Sequence, residues 1–91
     1  MTTFLERKIF DEEEKVTIKY LRGVLNITQR ELAALAKMDI TTIKRAENPY
    51  KSVRYLTAVQ LVKALNTELH NKGELTEEKV LELKHIAMHA L

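Results

Sequence analysis

The run Ile27-Thr28-Gln29-Arg30-Glu31-Leu32-Ala33-Ala34-Leu35-Ala36-Lys37-Met38-Asp39-Ile40-Thr41-Thr42-Ile43-Lys44-Arg45-Ala46-Glu47-Asn48 decides how this chain folds. It opens on a capping box. The Thr28 hydroxyl is placed to accept from the Glu31 amide, and the Glu31 carboxylate to reach back to the Thr28 amide. Ile27 and Leu32 stand at the hydrophobic-staple positions around that cap. The spacing predicts a helix from Gln29 to about Ala36, in which Ala33, Ala34 and Ala36 let a neighbouring backbone come close. Lys37 and Met38 make a tight turn. Asp39 is a suitable N-cap for a second helix, Ile40 to Glu47. Asn48-Pro49 stops it, because proline lacks an amide hydrogen and disfavours helical backbone at the residue before it.

Helical spacing continues on both sides. Before the run, a helix is expected from about Asp11 to Leu25. Asp11, Glu12, Glu13 and Glu14 suit its positive end, and Ile18, Leu21 and Leu25 form its buried stripe. Asn26 then accepts the left-handed backbone that ends a helix. After the run, Ser52 is expected to cap a fourth helix with Tyr55, Leu56, Val59, Val62 and Leu65 on its apolar face. Gly73 marks a break. Thr76 is expected to cap a fifth helix, with Leu75 and Val80 at staple positions and Val80, Leu83, Ala87 and Leu91 as its stripe. Two glycines, one proline and few alternating runs make the chain all-α, with five helices. Phe4, Leu5, Ile9 and Phe10 are too apolar to stand in water, as an arm, a strand or a short helix. Three units result: an N-terminal arm (residues 1–10), a compact helical domain (11–72) and a C-terminal helix (73–91).

A length of 91 residues fits one small domain and leaves no room for a catalytic domain beside a regulatory one. No apolar run approaches the ~18 residues that span a bilayer. The first residues lack the apolar stretch of a secretion signal, so a cytoplasmic protein without a membrane anchor is expected. Cysteine is absent, which excludes disulfides and thiolate metal sites. His85 and His89 stand four apart, but only Glu82 offers a third ligand. They read as surface histidines, and no metal or cofactor is expected.

The formal net charge of +2 hides a segregated pattern. Residues 15–63 hold ten basic groups against three acidic ones, a net +7. The segments before and after carry net charges of −3 and −2. A basic middle between acidic ends suggests a surface that faces a polyanion. Lys44, Arg45 and Lys51 lead that charge, with Arg30, Lys37 and Arg54 as further members.

A helix of about eight residues, a turn of three or four and a second helix of about eight is the helix-turn-helix spacing. It needs a small residue on the first helix and apolar ones in the turn and on the second; Ala33, Met38 and Ile43 supply them. The register Thr28-Gln29-x-x-Leu32-Ala33, nine residues, then Ile43-x-x-x-Glu47-Asn48 resembles the Cro and phage-repressor family, also called the xenobiotic-response-element family. With Leu21-Arg22 before it and Lys63-Ala64-Leu65 after it, the likeness covers about residues 15–66. Two positions depart from the pattern. Lys37 stands where the family usually has glycine in the turn, and Pro49 where it often has glycine after Glu-Asn. A lysine in left-handed backbone costs on the order of 1 kcal/mol.

The resemblance implies a five-helix, lambda-repressor-like DNA-binding domain with its helix-turn-helix at the second and third helices. It implies a sequence-specific transcriptional regulator, a repressor rather than an enzyme, with helix 40–47 in the major groove of a double-stranded operator. Ile40, Thr41, Lys44 and Arg45 would read bases. Gln29, Thr42, Asn48, Tyr50 and Lys51 would meet the sugar-phosphate backbone. Arg22 and Glu47 match positions that often form an internal ion pair. A homodimer is expected, joined by the C-terminal helix or by the apolar N-terminal arm. The alternative is an antitoxin or other interaction module that binds a regulatory or other partner protein through its N- or C-terminal segment. An exposed, unpaired N-terminal arm would favour it. Tyr55 reads as core.

Overall fold

A computed structural model describes residues 3–11 and 13–91. Among them are five α-helices: α1 (Phe4–Ile9), α2 (Ile18–Leu25), α3 (Gln29–Ala36), α4 (Ile40–Glu47) and α5 (Tyr55–Asn71). A single 3-10 turn spans Leu83–His85. Two short strands, β1 (Ser52–Val53) and β2 (His89–Ala90), pair in parallel, Ser52 opposite His89 and Val53 opposite Ala90. The helix-turn-helix pair is therefore α3 and α4, and its bounds agree with the sequence reading.

The centre is built from α2 to α5. Leu21, Leu32, Ile43, Leu61, Leu65 and Leu69 are fully buried, and α3 packs on both α4 and α5. The local signals of the central run are realised. Glu31 N donates to Thr28 Oγ1 and Thr28 N to Glu31 Oε1, both at 3.0 Å. Asn26 ends α2 in left-handed backbone, φ 56° and ψ 46°. Asp39 sits at the N-cap of α4, but its side chain makes no capping bond.

The all-α, five-helix architecture holds with a different membership. Residues 11 and 13–17 are not helical: Val16 is extended and bridges Ile86, its N–H donating to the His85 carbonyl at 3.0 Å. Helix α2 begins only after Thr17, whose hydroxyl accepts from Tyr20 N at 3.0 Å. The Asp11 carboxylate instead takes the Glu13 N–H at 2.9 Å, a local turn that competes with helix. Of the acidic run, Glu12 lies outside the described residues.

The C-terminal helix is also corrected. Residues 76–91 form no α-helix, because their backbone groups find distant partners. Leu81 N donates to Asn66 Oδ1 at 2.8 Å, Ala87 N to the Val16 carbonyl at 2.7 Å and Leu91 N to the Val53 carbonyl at 2.8 Å. Leu75, Leu81 and Ile86 are the buried residues there, not the expected stripe. The N-terminus supplies the fifth helix instead. Thr3 and Glu6 cap α1 reciprocally, and Leu5 and Ile9 enter the core.

Glu6 ties the two ends together. Its residue is 1% exposed, and its Oε2 accepts from Thr76 N at 2.9 Å and Thr76 Oγ1 at 2.7 Å. Thr76, expected as a helix cap, is thus a donor to Glu6. Those bonds, with one from Thr3 N, hold the Glu6 carboxyl down to about 2. At the start of α5, Ser52 lies in β1 and Arg54 takes the N-cap place without a side-chain bond. Tyr55 and Leu56, expected on the apolar face, are 56% and 79% exposed; Ala58, Leu61, Val62, Leu65 and Leu69 form that face.

Candidate nucleic-acid interface

Helix α4 is held by one side and open on the other. Ile43 and Ala46 are buried, and Glu47 is half-buried beside them. At about 100° per residue, Thr41, Lys44 and Arg45 fall on the opposite arc. All three are exposed. Ile40 flanks the arc, half-buried and packed against the core. Thr42 flanks it on the other side, also half-buried.

The position of α4 is fixed at both ends. At its C-terminal end, Arg22 on α2 grips Glu47 with two bonds, Nε to Oε2 at 2.7 Å and Nη2 to Oε1 at 3.0 Å. The side chains are only 15% and 10% exposed, and Arg22 Nη1 also donates to the Ile27 carbonyl at 3.2 Å. Glu47 pushes the Arg22 guanidinium further above its ordinary value, chiefly through these bonds. The residues behind the Arg22 and Glu47 expectation therefore meet across α2 and α4. At the N-terminal end, Lys37 ends α3 with φ 56° and ψ 49°, its N–H reaching the Ala33 and Ala34 carbonyls. The turn keeps the left-handed step although lysine stands there. Gln60 Nε2 on α5 closes the same helix end by donating to the Ala36 carbonyl at 2.7 Å.

The expected backbone-facing residues spread around this arc. Gln29, the first residue of α3, donates from Nε2 to Glu47 Oε1 at 3.3 Å. Asn48 is extended as a residue before proline should be, and its Oδ1 accepts from Tyr50 N at 2.8 Å. This Asx turn, rather than glycine, shapes the loop after α4, and it leaves Tyr50 91% exposed and Lys51 exposed. Arg45 Nη1 donates to the Ser52 carbonyl at 3.4 Å. A shallow groove of about 460 Å³ continues from there, lined by Thr42, Arg45, Ser52, Arg54 and Thr57. Arg54 was visible in the basic segment. Thr57 carries no sequence signal, because only the β1 insertion before α5 brings it beside α4.

The helix-turn-helix family profile matches residues 18–70, which are α2 through all but the last residue of α5. The chain belongs to the Cro and phage-repressor helix-turn-helix family. It is a DNA-binding regulator of that family. Prefoldin subunit 1 of Homo sapiens is also similar, 30% identical over 83 residues that cover 90% of this chain and 67% of that protein. No solved structure matches. The matched span takes in Arg22, Gln60 and the whole of α3 and α4.

The histidine pair of the sequence reading is not assembled. His85 lies in the 3-10 turn against Phe10, ring centroids 4.7 Å apart, and its Nδ1 accepts from Glu82 N at 3.0 Å. Burial lowers its pKa. His89 is exposed on β2, where four residues no longer return to the same helical face. Among the described residues no group of His, Asp and Glu is placed to hold a metal ion, and no helix is long and apolar enough to cross a membrane.

Proposed function

We propose that this helix-turn-helix protein is a sequence-specific transcriptional repressor that inserts α4 into the major groove of a double-stranded operator as a homodimer. The observation that carries the reading is the exposed arc of Thr41, Lys44 and Arg45 on a helix clamped by Arg22 and Glu47. Arg45 suits a bidentate bond to a guanine edge, Lys44 a single donor contact, and the Thr41 methyl a thymine methyl. Ile40 reaches the groove only with its unburied part. Gln29, Thr42, Asn48, Tyr50 and Lys51 meet phosphates and sugars and set the register, with Arg54 and Thr57 beside them. Gln29 joins that set by leaving Glu47, or by holding phosphate and Glu47 together.

A single domain of this size offers few base contacts, so two copies on a two-fold site supply the rest. The N-terminal segment speaks against the partner-module alternative. Leu5 and Ile9 are buried in the chain's own core, and of the segment's described apolar residues only Phe4 is exposed, at 78%. The same packing leaves less apolar surface there for a dimer contact.

The test is fluorescence anisotropy with operator and unrelated duplexes. The native chain should prefer its operator, and the Thr41→Ala, Lys44→Ala, Arg45→Ala triple variant should lose that preference while folding normally. A folded triple variant that keeps the full preference would overturn the assignment of α4.

A further inference from the structure

A groove of about 660 Å³ lies on the side of α5 formed with residues 80–90. Its floor is apolar: Tyr55, Val59 and Val62 of α5 face Val80, Leu83 and Met88. Lys15, Lys63 and Lys84 line it as well, with Glu82 as the only acid. Lys84 leans on Glu82 at 3.7 Å, while Lys15 and Lys63 have no ion-pair partner among the described residues. The volume falls in the range of small-molecule sites, and an apolar floor under unmatched positive charge defines the complement: an apolar body with one anionic head. A second copy of this chain would bring its own lysines to the same rim.

We propose that this groove binds an amphipathic organic anion, a fatty or aromatic carboxylate, and that its occupancy weakens DNA binding. The binding stands alone; the second half rests on the DNA-binding reading above. The route is short. Ala90 lines the groove and belongs to β2. Ala90 stands opposite Val53 of β1, and the next residue, Leu91, donates to the Val53 carbonyl at 2.8 Å. Ser52, beside Val53, accepts from Arg45 of α4. A ligand that parts α5 from residues 80–90 moves β2, then β1, and so the carbonyl that orients Arg45.

Decanoate, below its micellar concentration, is the probe, with decanol as its uncharged counterpart. Methyl NMR should show saturable shifts at Val59, Val62, Val80, Leu83 and Met88. Decanol should bind at least roughly tenfold more weakly, the scale of one charge-assisted hydrogen bond. The Lys15→Glu, Lys63→Glu variant, which leaves the DNA-facing arc intact, should lose decanoate to a similar extent. Saturating decanoate should then weaken operator binding about fivefold or more. Equal binding of decanol, unsaturable shifts or an indifferent double variant would overturn the site. Shifts of the same methyls on diluting the free protein would also overturn it, since a second copy would then fill the groove. A filled groove with unchanged operator affinity would overturn the coupling. The titration needs no DNA, so its failure is distinct from failure of the DNA-binding reading.

Discussion

Arg22 on α2 and Glu47 on α4 form a two-pronged ion pair, 2.7 and 3.0 Å long, that sets where the C-terminal end of α4 lies. The pair is mostly buried, so each partner leaves an unmatched charge when the other is removed. Arg22→Ala and Glu47→Ala should each destabilise the fold by on the order of 1–3 kcal/mol. The double variant should cost less than the sum, and a double-mutant cycle in urea measures the difference.

The turn between α3 and α4 stores a small strain. Lys37 has φ 56°, a conformation that glycine adopts freely. Lys37→Gly should therefore stabilise the chain by up to about 1 kcal/mol, and Lys37→Val should destabilise it. Equilibrium unfolding of the three proteins gives the order, which reverses if the turn is not left-handed in solution.

Glu6 makes the junction between α1 and the 74–76 turn sensitive to acid. Its carboxyl, held at about 2, lies below the ~4.3 of an unfolded glutamate. The folded state thus binds fewer protons, and the stabilisation is complete above the unfolded value and lost as pH falls from about 4 toward 2. Glu6→Gln should lower the melting temperature at neutral pH. It should also flatten the melting temperature's dependence on pH across that window, which thermal unfolding at a series of pH values would reveal.

How much of this was legible depends on how local each interaction is. Thr28 and Glu31 are three residues apart, so their cap, the bounds of α3 and the stop at Asn48-Pro49 could be read from neighbours alone. Arg22 and Glu47 are 25 apart and were reachable only through the family resemblance. The C-terminal stretch departs from a helix although Val80, Leu83, Ala87 and Leu91 mimic a helical period, because its N–H groups donate to Asn66, Val16 and Val53 instead. The start of α2 failed for the same reason: Val16 pairs with Ile86, 70 residues away. The bond from Thr76 to Glu6 spans a similar distance, and no local pattern announces it. Of the candidate site, Thr41, Lys44 and Arg45 were named through the family resemblance, while the place of Thr57 beside α4 needed the fold.

Arg45 should discriminate between bases as well as add affinity. Arg45→Ala should cost on the order of 1–3 kcal/mol on the operator and relax preference at one base pair per half-site. Lys51→Ala should weaken all duplexes alike and make the salt dependence shallower by about one unit per subunit. For the proposed dimer, log affinity against log salt should fall with a slope of roughly −4 to −10.

Selection of bound sequences from a random duplex pool tests the central claim most directly. The account predicts enrichment of a two-fold symmetric site whose half-sites lie about 10 base pairs apart, each placing a guanine where Arg45 can reach it. A pool that remains random after repeated rounds, with the folded protein present, would contradict it.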